Sequence, residues 1–104
     1  MLSADSIDAI RQRLIPFHPE KIILFGSQAR GTADSHSDVD LLVVSWFVGK
    51  RRLQMLAMDR ALKGLDFARD IVLLTPEEYE TNRHIPGTVA RPASIEGKLL
   101  YERT

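Results

Sequence analysis

Three short apolar runs, separated by stretches whose apolar residues recur at helical spacing, limit the folds open to this chain more than any other feature. The runs are Lys21 to Phe25, with Ile22, Ile23, Leu24 and Phe25 in succession; Asp38 to Val44; and Phe67 to Leu74, unbroken from Ile71 onward. Runs this short without polar alternation read as strands buried on both faces. Between and around them, Ile7, Ile10, Leu14 and Ile15 mark a first helix, capped by Ser3, Asp5 or Ser6 and stopped by Pro16. Ser27 to Gly31 has room for one helical turn, followed by a polar loop from Thr32 to Ser37. Lys50 to Lys63 reads as an amphipathic helix with Leu53, Leu56, Ala57, Ala61 and Leu62 on its core stripe and Gly64 closing it. Thr75, Pro76, Glu77 and Glu78 form a helix start with a cap, a proline in the first position and acids in the first turn. Gly87 and Thr88 suggest a last helix that Pro92 should kink or shorten, and Lys98 to Tyr101 reads as a brief edge strand. Strands alternating with helices imply a small α/β sheet with helices packed on it.

Composition sets the outer limits. The chain of 104 residues has the size of a single domain, residues 1–104, with one core. An apolar share of 44% and a charged share of 27% are ordinary for a folded domain. Fourteen Lys and Arg balance fourteen Asp and Glu, so no broad cationic field exists to gather nucleic acid, and direct nucleic-acid binding is not expected. The absence of cysteine excludes disulfides and Cys-based zinc sites. No apolar run approaches the roughly 20 residues of a bilayer span, and the first residues lack a signal-peptide pattern. A cytoplasmic chain without a membrane partner is the expectation.

The segment from Gly26 to Asp40 carries the chemistry. A glycine and a serine at the end of a buried strand let an anion approach the backbone, with the unpaired amides of a helical turn beside it. Asp38 and Asp40 lie two residues apart on the expected strand, so both carboxylates project to one face, about 6 to 7 Å apart at Cα. Like charges held together in this way suit hard divalent cations, since Mg²⁺ takes carboxylate and phosphate oxygens. The alternative is that they are solvated residues ahead of the strand, or that they pair with Arg30. Asp70, opening the third apolar run, supplies a third acid if its strand is a neighbour, and Asp66 is its rival. Three converging carboxylates can hold two metal ions, one activating a hydroxyl and the other gripping a triphosphate.

The string Gly26-Ser27-Gln28-Ala29-Arg30-Gly31, followed by Ser37-Asp38-Val39-Asp40-Leu41-Leu42-Val43, resembles the nucleotidyltransferase signature of the DNA polymerase beta superfamily: Gly-Ser, ten residues, then Asp-x-Asp. Asp70 to Glu78 and Pro86 to Val89 are similar to the minimal nucleotidyltransferase (MNT) antitoxins that accompany HEPN-domain ribonuclease toxins. The resemblance implies a small mixed β-sheet flanked by helices, with Asp38 and Asp40 on one strand and Asp70 on the next, binding two Mg²⁺ ions. It also implies that Gly26 and Ser27 hold the β and γ phosphates of ATP, with Arg30 contacting the triphosphate or orienting an aspartate. Gln28 and Ser37 would line the site without chemistry. The implied activity is transfer of AMP to a tyrosine of a HEPN toxin, silencing it within a hetero-oligomer. Two other readings are a binder that covers its partner without catalysis, and nucleotidyl transfer to a small molecule.

Two stretches depart from this pattern. Ser45-Trp46-Phe47-Val48 either extends the second strand or exposes an apolar surface to a partner. Lys50, Arg51 and Arg52 form a basic run that reads as a solvated helix face or a contact for the nucleotide or the partner. His18, His36 and His84 have no metal-ligand spacing, and Asp34 reads as a solvated fourth acid.

Overall fold

The computed structural model describes residues 2–34 and 37–104. His36 lies outside the described residues. Helix α1 (Ala4–Leu14) is capped by the Ser3 hydroxyl, which accepts from the Ser6 amide, and a 3₁₀ turn at Ile15–Phe17 holds Pro16 in its first turn. Strand β1 (Lys21–Phe25) leads through Gly26 into the single turn α2 (Ser27–Arg30). Strand β2 (Val39–Val44), helix α3 (Arg51–Ala61), strand β3 (Arg69–Leu74), helices α4 (Pro76–Asn82) and α5 (Ala90–Glu96), and strand β4 (Lys98–Glu102) complete the chain.

The four strands form one mixed sheet in the order β3-β2-β1-β4. β1 runs antiparallel to both β2 and β4, whereas β2 and β3 are parallel, as a strand-helix-strand crossover through α3 requires. Each strand sends alternate residues to opposite helix layers. Ile22, Leu24, Val39, Leu41, Val43 and Leu73 pack with Ile10, Leu14, Met58 and Leu62 on the α1/α3 side. Ile23, Leu42 and Val44 pack with Tyr79, Ala90 and Ala93 on the α4/α5 side. Both faces of β2 are therefore covered, and its pattern is apolar throughout except at Asp40.

Several expectations need correction. The third strand begins at Arg69 rather than Phe67, and the second begins at Val39, leaving Asp38 one residue ahead of it. On α3 the stripe is rotated: Leu53 and Leu56 are 62% and 43% exposed, while Leu62 is buried as expected and Met58 is buried beside it, with Met55 packed against the same core. The covered face is set by where the helix meets the sheet, and methionine fills that irregular space as well as leucine does. Around Pro92 the last helix is shortened, as one of the two expected outcomes had it. The helix starts at Ala90, so Pro92 falls in the first turn, where no intrahelical partner is needed for the missing N–H. At the other edge, β4 carries a bulge: Ile22 faces Tyr101 and Ile23 faces Leu99, leaving Leu100 as the extra residue. The Arg11 guanidinium donates to its carbonyl. Beyond β2 the strand does not run on. Trp46 is 55% exposed, while Phe47 packs on the core under the Arg51 guanidinium, 5.4 Å from its ring centre.

Candidate active site at the sheet edge

The end of the sheet where β1 finishes and β2 and β3 begin gathers the polar residues of interest. Phe25 pairs with Asp40, and Asp40 stands in register with Asp70 on the parallel neighbour. Registered residues of paired strands project to the same face, so both carboxylates emerge on the α4/α5 side, past the apolar positions Leu42 and Val72. Asp38 is exposed just ahead of β2. The two-residue spacing and the register thus bring all three acids to one sheet end.

Gly26 is required at this corner for two separate reasons. Its φ of +74° lies in the region that side chains disfavour, and a Cβ built on it would stand 2.3 Å from Asp40 Oδ2. The carboxylate of Asp40 occupies the space a side chain would need. After Gly26 the backbone closes one helical turn: the amides of Ala29 and Arg30 both donate to the Gly26 carbonyl at 3.1 Å. Gln28 is buried beneath the turn, accepting from the Leu2 amide at 3.1 Å and donating to the Ser37 carbonyl at 3.4 Å, so it fastens the acid-bearing loop to α1. It also lines a cavity beside α1.

The electrostatics of the corner are unbalanced. Burial pushes the Asp40 carboxyl above its ordinary range, and the neighbouring charges of Asp70 and Asp38 push it further in the same direction, opposed by the Arg30 guanidinium. Arg30 also pairs with Glu96 at the end of α5, Nη1 to Oε2 3.6 Å. No spacing rule in the sequence points to Glu96. It arrives because Gly97 lets α5 press onto the sheet; a Cβ there would meet the Ala93 carbonyl oxygen at 2.2 Å and Ile23 Cγ2 at 2.5 Å.

A carboxylate that burial and acidic neighbours push toward protonation, as they do Asp40, is suited to Mg²⁺, a hard cation that takes one or two carboxylates and completes its shell with phosphate and water oxygens. Among the described residues no group of three acids, histidines or cysteines is arranged to hold a metal ion, so an ion at this sheet end would draw most of its ligands from outside the chain, as one shared with a substrate does.

Asp66, the rival third acid, lies elsewhere. It lines a cavity of about 430 Å³, together with Ser3, Ser6, Asp34 and Phe67 on the α1 side of Val39. A second groove of about 240 Å³ runs between α3 and β3 and has Asp70 on its lip. Of the basic run, Arg51 is committed to Glu78, with Nη2 2.5 and 2.6 Å from its two oxygens. His18 serves as a left-handed corner with φ 57°, and His84 lies 3.8 Å from Glu80 on the surface.

Over 32 residues, 31% of this chain, the sequence is 66% identical to the "Putative protein adenylyltransferase MJ1305" of Methanocaldococcus jannaschii; the match spans 22% of that relative's length. A crystal structure of a toxin-antitoxin with AMP-PNP superposes with a TM-score of 0.67 at 23% identity, covering 94% of this chain and 74% of that one. The toxin-antitoxin MntA-HpeT in a mutant form superposes at 0.65 with 22% identity, covering 99% and 76%. These structures share the fold. The family model for the nucleotidyltransferase domain matches residues 6–86, which include α2, all three acids and the whole of β1, β2 and β3, and the chain therefore belongs to the nucleotidyltransferase domain family.

Proposed function

We propose that this chain transfers AMP from ATP to a tyrosine hydroxyl of a partner toxin of the HEPN class, with Mg²⁺ as the metal, and thereby neutralises the toxin. The observation that carries this reading is the registration of Asp40 with Asp70 beside the Gly26 corner, with like charges that Arg30 only partly offsets. In this reading Asp38, Asp40 and Asp70 hold two Mg²⁺ ions, which supply Lewis-acid polarisation of the phosphate and activation of the hydroxyl when bound. Gly26 and Ser27 receive the β and γ phosphates, and Arg30 balances charge between the triphosphate and Asp40. The likeness to a toxin-antitoxin structure with AMP-PNP supports a nucleotide substrate and a toxin partner. The short match to a protein adenylyltransferase supports a protein acceptor.

The direct test is incubation with ATP, Mg²⁺ and the purified product of the adjoining gene, read by intact mass. A gain of AMP on that protein, lost with chelator and with Asp40→Ala, is expected. An active toxin that is neutralised without any mass change, equally well by Asp40→Ala, would replace catalysis with simple binding.

A further inference from the structure

Glu96 stands where a helix disfavours an acid. It is the last residue of α5, and the final turn of that helix contains no basic residue. Unpaired carbonyl groups at a helix C-terminus favour a cation there, so a carboxylate in that place works against the helix. Its partner is Arg30, the last residue of α2, with Nη1 3.6 Å from Glu96 Oε2. Both side chains are 49% exposed, and an ion pair so open to water adds little to stability. Stability therefore gives weak grounds for an acid at this position. The family match does not account for it either, since that match ends at residue 86, before α5 begins.

The backbone beside Glu96 is nonetheless closely fixed. The Gly97 amide donates to the Ala93 carbonyl at 3.0 Å, and a Cβ on Gly97 would collide with that carbonyl and with Ile23 of β1. The same strand ends in Gly26 and leads into α2, so Glu96 and Arg30 are both anchored to β1. On its other side Arg30 acts on Asp40, whose pKa its charge lowers. A guanidinium carries five N–H donors in one rigid plane. With Nη1 turned to Glu96, the donors on Nη2 and Nε remain for an anion at the Gly26 corner. A long side chain already held in place loses less rotamer freedom when it takes up such an anion. We propose that Glu96 is a positioning residue: through its ion pair it holds the Arg30 guanidinium toward the Gly26 and Asp40 corner, ready for the triphosphate of ATP. This rests on the AMP-transfer reading.

The sign of the effect separates this role from simple proximity. A carboxylate that only stands near the site repels a triphosphate, and removing it should tighten ATP binding. Removing a carboxylate that positions Arg30 should weaken binding instead. Glu96→Gln and Glu96→Ala should each raise the Kd for a non-hydrolysable ATP analogue with Mg²⁺ by about threefold, the scale of an exposed ion pair. With the product of the adjoining gene as acceptor, KM for ATP should rise by a similar factor while kcat stays within about twofold of the parent. In an Arg30→Ala background the same changes at Glu96 should leave the Kd unaltered, because the effect passes through the guanidinium. Thermal melts of both single variants should match the parent. Tighter or unchanged ATP binding, an equal loss in the absence of Arg30, or a marked fall in Tm in both variants would overturn the role of Glu96. A parent that binds no ATP takes down the AMP-transfer reading and this inference together; a parent that binds and labels normally, beside variants of unaltered affinity, loses only the inference about Glu96.

Discussion

The two ends of the sheet carry carboxylates in opposite circumstances. Where β2 and β3 begin, Asp40 is half-buried, its pKa raised by burial and by Asp70 and Asp38. Where β3 ends, Glu78 accepts from the Thr75 amide at 2.9 Å and from Arg51, and its pKa is lowered, the Thr75 bond being the largest cause. The second end completes a reciprocal cap, since the Thr75 hydroxyl accepts from the Glu78 amide at 3.2 Å. One end is built for stability and satisfies its own charges. The other leaves charge uncompensated, as sites that bind a cation or an ionic substrate do.

This contrast can be broken most forcefully at Asp40. Asp40→Asn should cut AMP incorporation on the order of a thousandfold, the scale on which loss of transition-state electrostatics is felt. It should also leave the metal-free protein as stable as the parent or more so in a thermal melt, because like-charge repulsion is relieved. A clear drop in Tm would show that Asp40 is structural.

Next in size is Gly26→Ala. The positive φ and the collision with Asp40 Oδ2 together should cost about 1 to 3 kcal/mol in denaturant unfolding. In an Asp40→Ala background the collision is gone and only the backbone penalty should remain, so the two substitutions should be non-additive. Strict additivity would separate the glycine from the carboxylate.

At the opposite end, Thr75→Ala should cost about 1 kcal/mol of unfolding free energy while leaving AMP incorporation within twofold of the parent. The smallest effect is a pH dependence. Because the folded state depresses the Glu78 pKa, its contribution is present above the ordinary glutamate range and is lost as pH falls through the folded value. The gap in Tm between the parent and Glu78→Gln should therefore narrow as pH is lowered below about 4. A gap that widened would reverse the assignment.

Much of the fold was legible because strand identity is set locally. Lys21–Phe25 appears as expected, and the Thr75 helix start gave a full capping box, since cap chemistry needs only four neighbouring residues. The stripe of α3 was misjudged because 3.6-residue spacing accommodates more than one apolar arc in Leu53-Gln54-Met55-Leu56-Ala57-Met58, and the sheet chooses among them. Around Pro92 the shortened helix is the expected alternative that the structure takes, its start set at Ala90 rather than at Gly87-Thr88 because helix starts are set by packing as well as by caps.

What the amino-acid order by itself determined is local chemistry: a glycine followed by a short turn, and two aspartates at strand spacing, whose geometry follows from covalent reach and backbone dihedrals. What only the tertiary structure decided is which distant residues join them. It placed Asp70 rather than Asp66 beside Asp40, brought Glu96 to Arg30 and turned Leu53 and Leu56 to solvent. Those outcomes depend on strand order and helix docking, which arise from the summed burial of two apolar faces and are encoded in no single stretch of the chain.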